Sequence, residues 1–454
     1  MANPPEEVAY FVTKARQVAI LCSSAAVDLV STTTQELSKS GISVPYVNIG
    51  AALANAPKLS LNQIVVASDR YLDDNAAGVV IFTSGTTGRP KGSVLRRAYI
   101  HESALGVADS FDIRADDVVL HTLPVHHATG LGTSFFPFLN SGACIEFRTS
   151  TFDPTWVWNR FRAGGCTIFS GVPTMYLRLM WHFQKAILSR PAAEQLQYTE
   201  GVRRLRSCLC GSSALQQPVQ DFWTNMRGGQ PILVRYGSSE IPGCIRVPAR
   251  VDPSTVPRGC VGSTAPGVDV KISDDGELLI KSPHMFSKYL HDKEATRGAH
   301  DAEGWFRTGD ICRKEGDYYF IIGRASVDII KSGGYKIGAP EVESVMLGLP
   351  YISEAAVVGV EDDEYGQRVG AIITLKQSQI SLTIQRLRDD MRKLLPAYKL
   401  PTLLRIVEGE LPKGQTGKVQ KKTLGLQLFP VPRWKNDPHV QMWTRRKTPL
   451  KAQL

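Results

Sequence analysis

Gly78-Val79-Val80-Ile81-Phe82-Thr83-Ser84-Gly85-Thr86-Thr87-Gly88-Arg89-Pro90-Lys91-Gly92 is the stretch on which the reading of this chain turns. The first five residues are mostly apolar and β-branched, and read as a buried strand. The next ten carry four hydroxyls, three glycines and one lysine. Small residues let the backbone approach an anion closely, and N–H groups plus a cation then hold it, so the string has the ingredients of a phosphate cradle. It is not a Walker A loop, because Pro90 stands directly before Lys91 and breaks the G-x-x-x-x-G-K-S/T template. Residues 98–110 follow with helical periodicity, which completes a strand–loop–helix unit.

Working outward, short apolar runs alternate with helical segments, the mark of an α/β chain. Strands are expected at 19–22, 166–169, 207–209, 232–234 and 268–272. A hairpin follows through Asp274-Asp275-Gly276 to Lys281. Beyond about residue 323 a smaller α+β unit is expected, with helices from Pro340 and over 383–395 and strands at 355–360, 370–375 and 403–407. From Pro430 the chain turns Pro-rich, basic and aperiodic and reads as a loosely held tail. The expected organisation is a large N-terminal α/β domain with a β-rich subdomain over 1–322, a small α+β C-terminal domain over 323–429 joined by a hinge, and a basic tail over 430–454. A length of 454 residues accommodates that division.

Composition excludes several classes. Apolar residues make up 43% and charged residues 21%, so wholesale disorder is not expected. No apolar run approaches the roughly 20 residues of a membrane span. The net charge of +10 is concentrated in residues 401–454, which hold 11 Lys and Arg against 3 acids. A basic end of that kind suits phosphate ligands, and no nucleic-acid-binding signature accompanies it. The eight cysteines are scattered with no C-x-x-C pair, as in a reduced, cytoplasmic protein, and the acidic, proline-bearing start lacks a targeting pattern.

Further motifs follow the loop in order. They are Leu123-Pro124-Val125-His126-His127-Ala128-Thr129-Gly130, Gly211-Ser212-Ser213-Ala214, Arg235-Tyr236-Gly237-Ser238-Ser239-Glu240, Trp305-Phe306-Arg307-Thr308-Gly309-Asp310, Gly323-Arg324 leading to Gly333-Gly334, and Leu411-Pro412-Lys413-Gly414-Gln415-Thr416-Gly417-Lys418. Together with the loop they resemble the adenylate-forming superfamily, the AMP-binding acyl-CoA synthetases and their relatives, over roughly residues 7–426. The double histidine, Arg235-Tyr236-Gly237 and the 323–336 segment look most like malonyl-CoA synthetase-type members.

The resemblance implies ATP, Mg²⁺ and coenzyme A as ligands and a carboxylic acid as substrate. It implies that Thr83, Ser84, Gly85, Thr86, Thr87, Gly88 and Lys91 hold phosphates. Gly211, Ser212, Ser213, Tyr236 and Gly237 would receive adenine, Ser239 the α-phosphate, Asp310 the ribose, and Arg324 the ribose or a phosphate. Glu240 would hold Mg²⁺, which takes few carboxylates alongside phosphate oxygens. His127 would sit by the acyl carboxylate, Lys418 would be the catalytic lysine, and Gly333-Gly334 would let pantetheine pass. Arg235 and Arg246 are candidates to hold a second anionic end of the acid, because a buried guanidinium facing an alkyl tail would lack a partner. The reaction implied is acyl-adenylate formation followed by transfer to coenzyme A.

Two rivals stay open at this stage: another acceptor, an amine or a carrier-protein thiol, or a non-catalytic nucleotide- or acyl-binding relative. Two departures from the pattern stand out. Members usually carry a longer segment before the phosphate loop, which begins here at Thr83, so part of the first subdomain is expected to be absent. Thr129 stands where malonate-activating members tend to carry a second histidine.

Overall fold

The computed structural model describes residues 4–50, 73–83, 89–148, 151–376, 381–413, 419–431 and 433–444 of the chain. A seven-stranded sheet organises the N-terminal part. Five strands run parallel in the order Cys144–Phe147, Val118–His121, Ile168–Gly171, Ser207–Cys210, Leu233–Tyr236. Ile245–Arg246 and Ser263–Thr264 extend it antiparallel. Every residue of Ile168–Gly171 and Ser207–Cys210 is buried, as in a sheet covered on both faces.

Alternate residues feed two cores. Phe169, Cys208 and Cys210 face one with Trp158, Tyr176 and Trp223, whose indoles stack at 5.7 Å between the Trp158 and Trp223 centroids. Ile168 and Leu209 face the other, with Val107, Phe111 and Phe138. From Val118–His121 the chain first goes out to Cys144–Phe147 and then returns to the opposite neighbour, Ile168–Gly171. In open α/β sheets, ligands gather beyond the C-terminal strand ends at such a reversal.

Two antiparallel sheets adjoin this body. One has four strands, Asp269–Ile272, Glu277–Lys281, Phe306–Glu315 and Tyr318–Arg324. The other joins Lys288–Tyr289, Gly92–Arg96 and Ala77–Phe82. The last is the strand leading into the phosphate loop, and it corrects the sequence reading. Only Ile81 of the strand is buried, because it lies at the edge of an antiparallel sheet and packs one face alone. The helix expected over 98–110 also differs, opening as a π-helical turn at Tyr99–Ser103 before Ala104–Ser110.

The C-terminal part is a six-stranded sheet of Tyr335–Gly338, Ile329–Ser332, Gly366–Leu375, Leu403–Ile406 and Val440–Met442, with Ile352–Asp362 paired to Gly366–Leu375. Helices Ala339–Leu347 and Ile384–Met391 pack on one face through Val342, Met346 and Leu387. Lys421–Leu428 covers the other through Leu424, beside Phe429 and Trp434. The segment after Pro430 is therefore not a loose tail as far as residue 444. Val440–Met442 pairs antiparallel with Leu403–Ile406, and Trp434 is 2% exposed. A three-residue edge strand has no periodicity to detect, which is why the sequence reading missed it.

Candidate active site

The candidate residues collect where the parallel strands end. Gly211-Ser212-Ser213 leaves Ser207–Cys210, and Tyr236 through Glu240 leaves Leu233–Tyr236. His127 caps the helix Ala128–Gly132 after Val118–His121, with Nδ1 accepting from the Thr129 N–H at 3.5 Å. Two contacts bind these turns together. Thr129 Oγ1 and Ser212 Oγ share a hydrogen bond of 2.6 Å. Gly211 lies directly on Arg235, where a Cβ would come within 2.9 Å of Arg235 Cγ. A Cβ on Gly237 would come within 2.4 Å of Gly243 N, so only glycine closes the turn that presents Glu240.

Glu240 is held by two hydroxyls. Tyr289 Oη donates to Oε1 at 2.8 Å and Ser238 Oγ to Oε2 at 2.7 Å. The Tyr289 ring also lies under Lys91 Nζ at 5.0 Å, so one tyrosine couples the lysine of the phosphate loop to the carboxylate. Burial and the adjoining Glu240 charge push the Tyr289 phenol well above its ordinary range, and it stays a neutral donor. Ser93, beside the loop, donates to the Ser239 carbonyl at 3.1 Å. The ends of the loop are clipped by Thr83 N–H to Lys91 O at 2.8 Å and Lys91 N–H to Thr83 Oγ1 at 3.3 Å. Ser84, Gly85, Thr86, Thr87 and Gly88, between them, lie outside the described residues.

A second cluster spans three elements. Asp310 and Arg324 are directly opposed on neighbouring antiparallel strands. Arg324 Nε donates to Asp310 Oδ1 at 2.9 Å and Nη2 to Oδ2 at 3.2 Å, while Tyr236 Oη crosses from the large sheet to Oδ2 at 2.6 Å. Burial works against the Arg324 charge, but Asp310 more than restores it. Tyr236 is pushed well up, first by burial and then by Asp310. Asp328 extends the cluster, accepting from Arg324 N–H at 3.1 Å and from Lys421 Nζ at 2.6 Å. Lys421 also reaches Glu343. Lys418, three residues earlier, lies outside the described residues, and the Lys413–Val419 bridge closes the segment that contains it.

The two candidate arginines part company. Both are buried, and burial pulls each down to about 10. Among the described residues, no carboxylate lies within ion-pair distance of either. Arg246 has neutral partners: Ser110 Oγ at 2.8 Å, Gly106 O at 2.9 Å and Gly243 O at 3.1 Å. It ties its strand to the helix Ala104–Ser110 and lines a cavity of about 200 Å³ that Tyr236, Glu240 and Asp310 do not border. Arg235 Nη2 donates to Ser170 Oγ at 3.2 Å, and its buried Nη1 has no partner among the described residues.

Gly333 and Gly334 form the exposed hairpin turn between Ile329–Ser332 and Tyr335–Gly338, with φ of 54° and 84°. Both angles call for glycine whatever passes beside them. Three contributors escaped the sequence reading. Tyr289 and Ser93 meet the site through strand pairing across almost 200 residues, for which one sequence carries no signal. His121, buried and pushed below its ordinary pKa by that burial, contacts the Gly130 carbonyl at 3.0 Å and fixes the His127 helix.

As for cation fit, Glu240 receives two neutral hydroxyl donors and keeps acceptor directions for a metal. Among the described residues there is no cluster of three or more metal-ligating side chains. One carboxylate beside a phosphate cradle suits Mg²⁺ arriving with a nucleotide better than an all-protein cage.

Residues 1–290 match the family model described as AMP-binding enzyme, and residues 341–418 match the AMP-binding enzyme C-terminal domain. The mitochondrial malonate–CoA ligase of Bos taurus is 33% identical, the match covering 94% of this chain and 76% of that one. The malonate–CoA ligase of Arabidopsis thaliana is 35% identical over 80% of this chain and 62% of its own. The crystal structure of ATP-bound MatB from Rhodopseudomonas palustris superimposes with a TM-score of 0.80 at 26% identity, covering 95% of this chain and 83% of that one.

Proposed function

The chain belongs to the AMP-binding enzyme family and is an ATP-dependent acid–thiol ligase of the acyl-CoA synthetase type, and on that premise we propose that its acid is a short dicarboxylate of the malonate kind. The observation that carries the proposal is Arg235. It is a guanidinium 4% exposed, with one nitrogen lacking a partner among the described residues, directly beneath the Gly211 turn. An uncompensated buried charge is costly, and a carboxylate can offset it with a charge-assisted pair. An alkyl tail would leave it uncompensated. The malonate–CoA ligases among the relatives support the same acid.

In this reading one carboxylate of the acid attacks the α-phosphorus of ATP, releasing pyrophosphate and leaving acyl-AMP. The coenzyme A thiolate then displaces AMP from the acyl carbon. Tyr236 and Gly211 would border the adenine, and Asp310 with Arg324 the ribose diol. Lys91 and the loop it closes would hold the phosphates, and Ser239 the α-phosphate. Mg²⁺, oriented by Glu240, supplies neutralisation of phosphate charge when bound. His127 would face the reacting carboxylate, and Arg235 the distal one. Lys418 would serve the first step. The unit beginning near Gly323 would then rotate, bringing the Gly333-Gly334 turn toward the thiol channel. No helix among the described residues is long and apolar enough to cross a membrane. The eight cysteines, none disulfide-bonded, suit the cytoplasm or another reducing compartment.

The test is a set of kcat/KM values for malonate and acetate in the parent and in Arg235→Ala. Truncation is expected to cut malonate turnover by about 100-fold while acetate changes by less than about 3-fold. Equal losses for both acids would contradict the role of Arg235.

A further inference from the structure

The N-terminal helix Pro5–Ala15 packs on Val27–Lys39 through Val12, Leu37 and Val44, forming a small core of its own. Its two consecutive aromatics turn away from that core and meet both ends of the phosphate loop. Phe11 lies against Phe82, the residue before the loop, at 4.6 Å between ring centroids. Tyr10 Oη donates to the carbonyl of Pro90, on the exit side, at 2.8 Å. The Tyr10 ring contacts Phe82 edge-on at 6.3 Å and carries the Arg89 guanidinium 5.5 Å from its centroid. One helical turn therefore grips Phe82, just before the loop, and Arg89 and Pro90, at its exit end.

We propose that Tyr10 and Phe11 are positioning residues for ATP, bracing the entrance and exit of the phosphate loop from outside the nucleotide pocket. This rests on the loop being the phosphate cradle. Ordering a chain segment around an anion costs conformational freedom, and that cost subtracts from affinity. Holding its two ends at fixed separation removes part of the cost before the ligand arrives. The Thr83–Lys91 clip does this from within the loop, and the Tyr10 bond does it from a separate element. The brace acts only on the part of the ligand that the loop touches. It therefore favours the β- and γ-phosphates of ATP and leaves AMP largely unaffected.

The experiment is calorimetric titration of the full chain with Mg·ATP and with AMP, in the absence of acid so that no adenylate forms. The parent is compared with Tyr10→Phe, Tyr10→Leu and Lys91→Met. Tyr10→Phe keeps the ring and loses one hydrogen bond, and is expected to weaken ATP by about 2- to 10-fold. Tyr10→Leu also loses the cation–π contact and should weaken it further. AMP affinity should move by less than about 2-fold in both. A change in fold or stability alone would weaken ATP and AMP together, and that result overturns the brace, as does an unchanged ATP affinity. If Lys91→Met weakens ATP while the Tyr10 variants do not, the brace is wrong and the cradle stands. If Lys91→Met leaves ATP binding intact, the cradle itself is wrong, and the brace falls with it.

Discussion

Glu240 shows how much a single side chain can declare in advance and how much it cannot. An acid following a strand, a tyrosine and a glycine could be assigned to a cation from its motif alone. The two hydroxyls that hold it, from Tyr289 and Ser238, could not be read there. Glu240→Gln keeps the size of the side chain, removes the charge and leaves one oxygen to accept from these hydroxyls. The expected outcome is an increase of about 10-fold or more in the Mg²⁺ concentration for half-maximal rate, with the KM for the acid unchanged. A Mg²⁺ titration of the variant that overlays the parent's would refute it. At this scale the candidate side chains Asp310, Arg324 and Tyr236, which meet in one cluster, were legible from their motifs. Those that only orient them were not, because Tyr289 reaches the site by pairing with Ser93. Arg246 differs. Its charge stood out in the sequence, yet its partners are two backbone carbonyls and a serine.

Among elements, three of the five parallel strands, Ile168–Gly171, Ser207–Cys210 and Leu233–Tyr236, were legible to within about two residues because buried strands read as apolar runs, whereas Val118–His121 and Cys144–Phe147 were not expected. Nor was the anchor shared across the sheet. Asp117, Thr167 and Arg206 immediately precede three of these strands, at the end away from the site. Arg206 Nε donates to Asp117 Oδ1 at 2.8 Å, Thr167 Oγ1 donates to the same oxygen at 2.7 Å, and the Arg114 N–H donates to Oδ2 at 2.8 Å. Burial alone would raise the Asp117 carboxyl, but these donors outweigh it and hold the group below its ordinary value. A carboxylate depressed in the folded state stabilises the protein above its unfolded pKa of about 3.9 and stops doing so as pH falls through the folded value. Asp117→Asn should therefore cost about 2 kcal/mol from neutral pH down to about pH 4, with the difference shrinking at lower pH. Denaturant unfolding of both proteins across that range checks this, and a gap independent of pH would contradict it. The edge strand Val440–Met442 escaped for a related reason, since three residues beside prolines and basic side chains carry no pattern.

For the whole molecule, the two-part organisation was visible in the order of motifs. The contacts joining the parts were not, among them Lys336 Nζ with the Asp275 carbonyl at 3.4 Å. Lys418 belongs to the part proposed to move. Lys418→Ala should lower acyl-AMP formation by about 100-fold or more and leave transfer from preformed acyl-AMP to coenzyme A within about 3-fold of the parent. Separate single-turnover assays of the two half-reactions test that division, and parallel losses would count against it. The central claim, that this ligase takes a short dicarboxylate, is tested most directly on the parent enzyme by measuring coenzyme A-dependent thioester formation with malonate, methylmalonate, acetate and a medium-chain fatty acid. The account predicts the highest kcat/KM for malonate or methylmalonate; a preference for acetate or the fatty acid would contradict it.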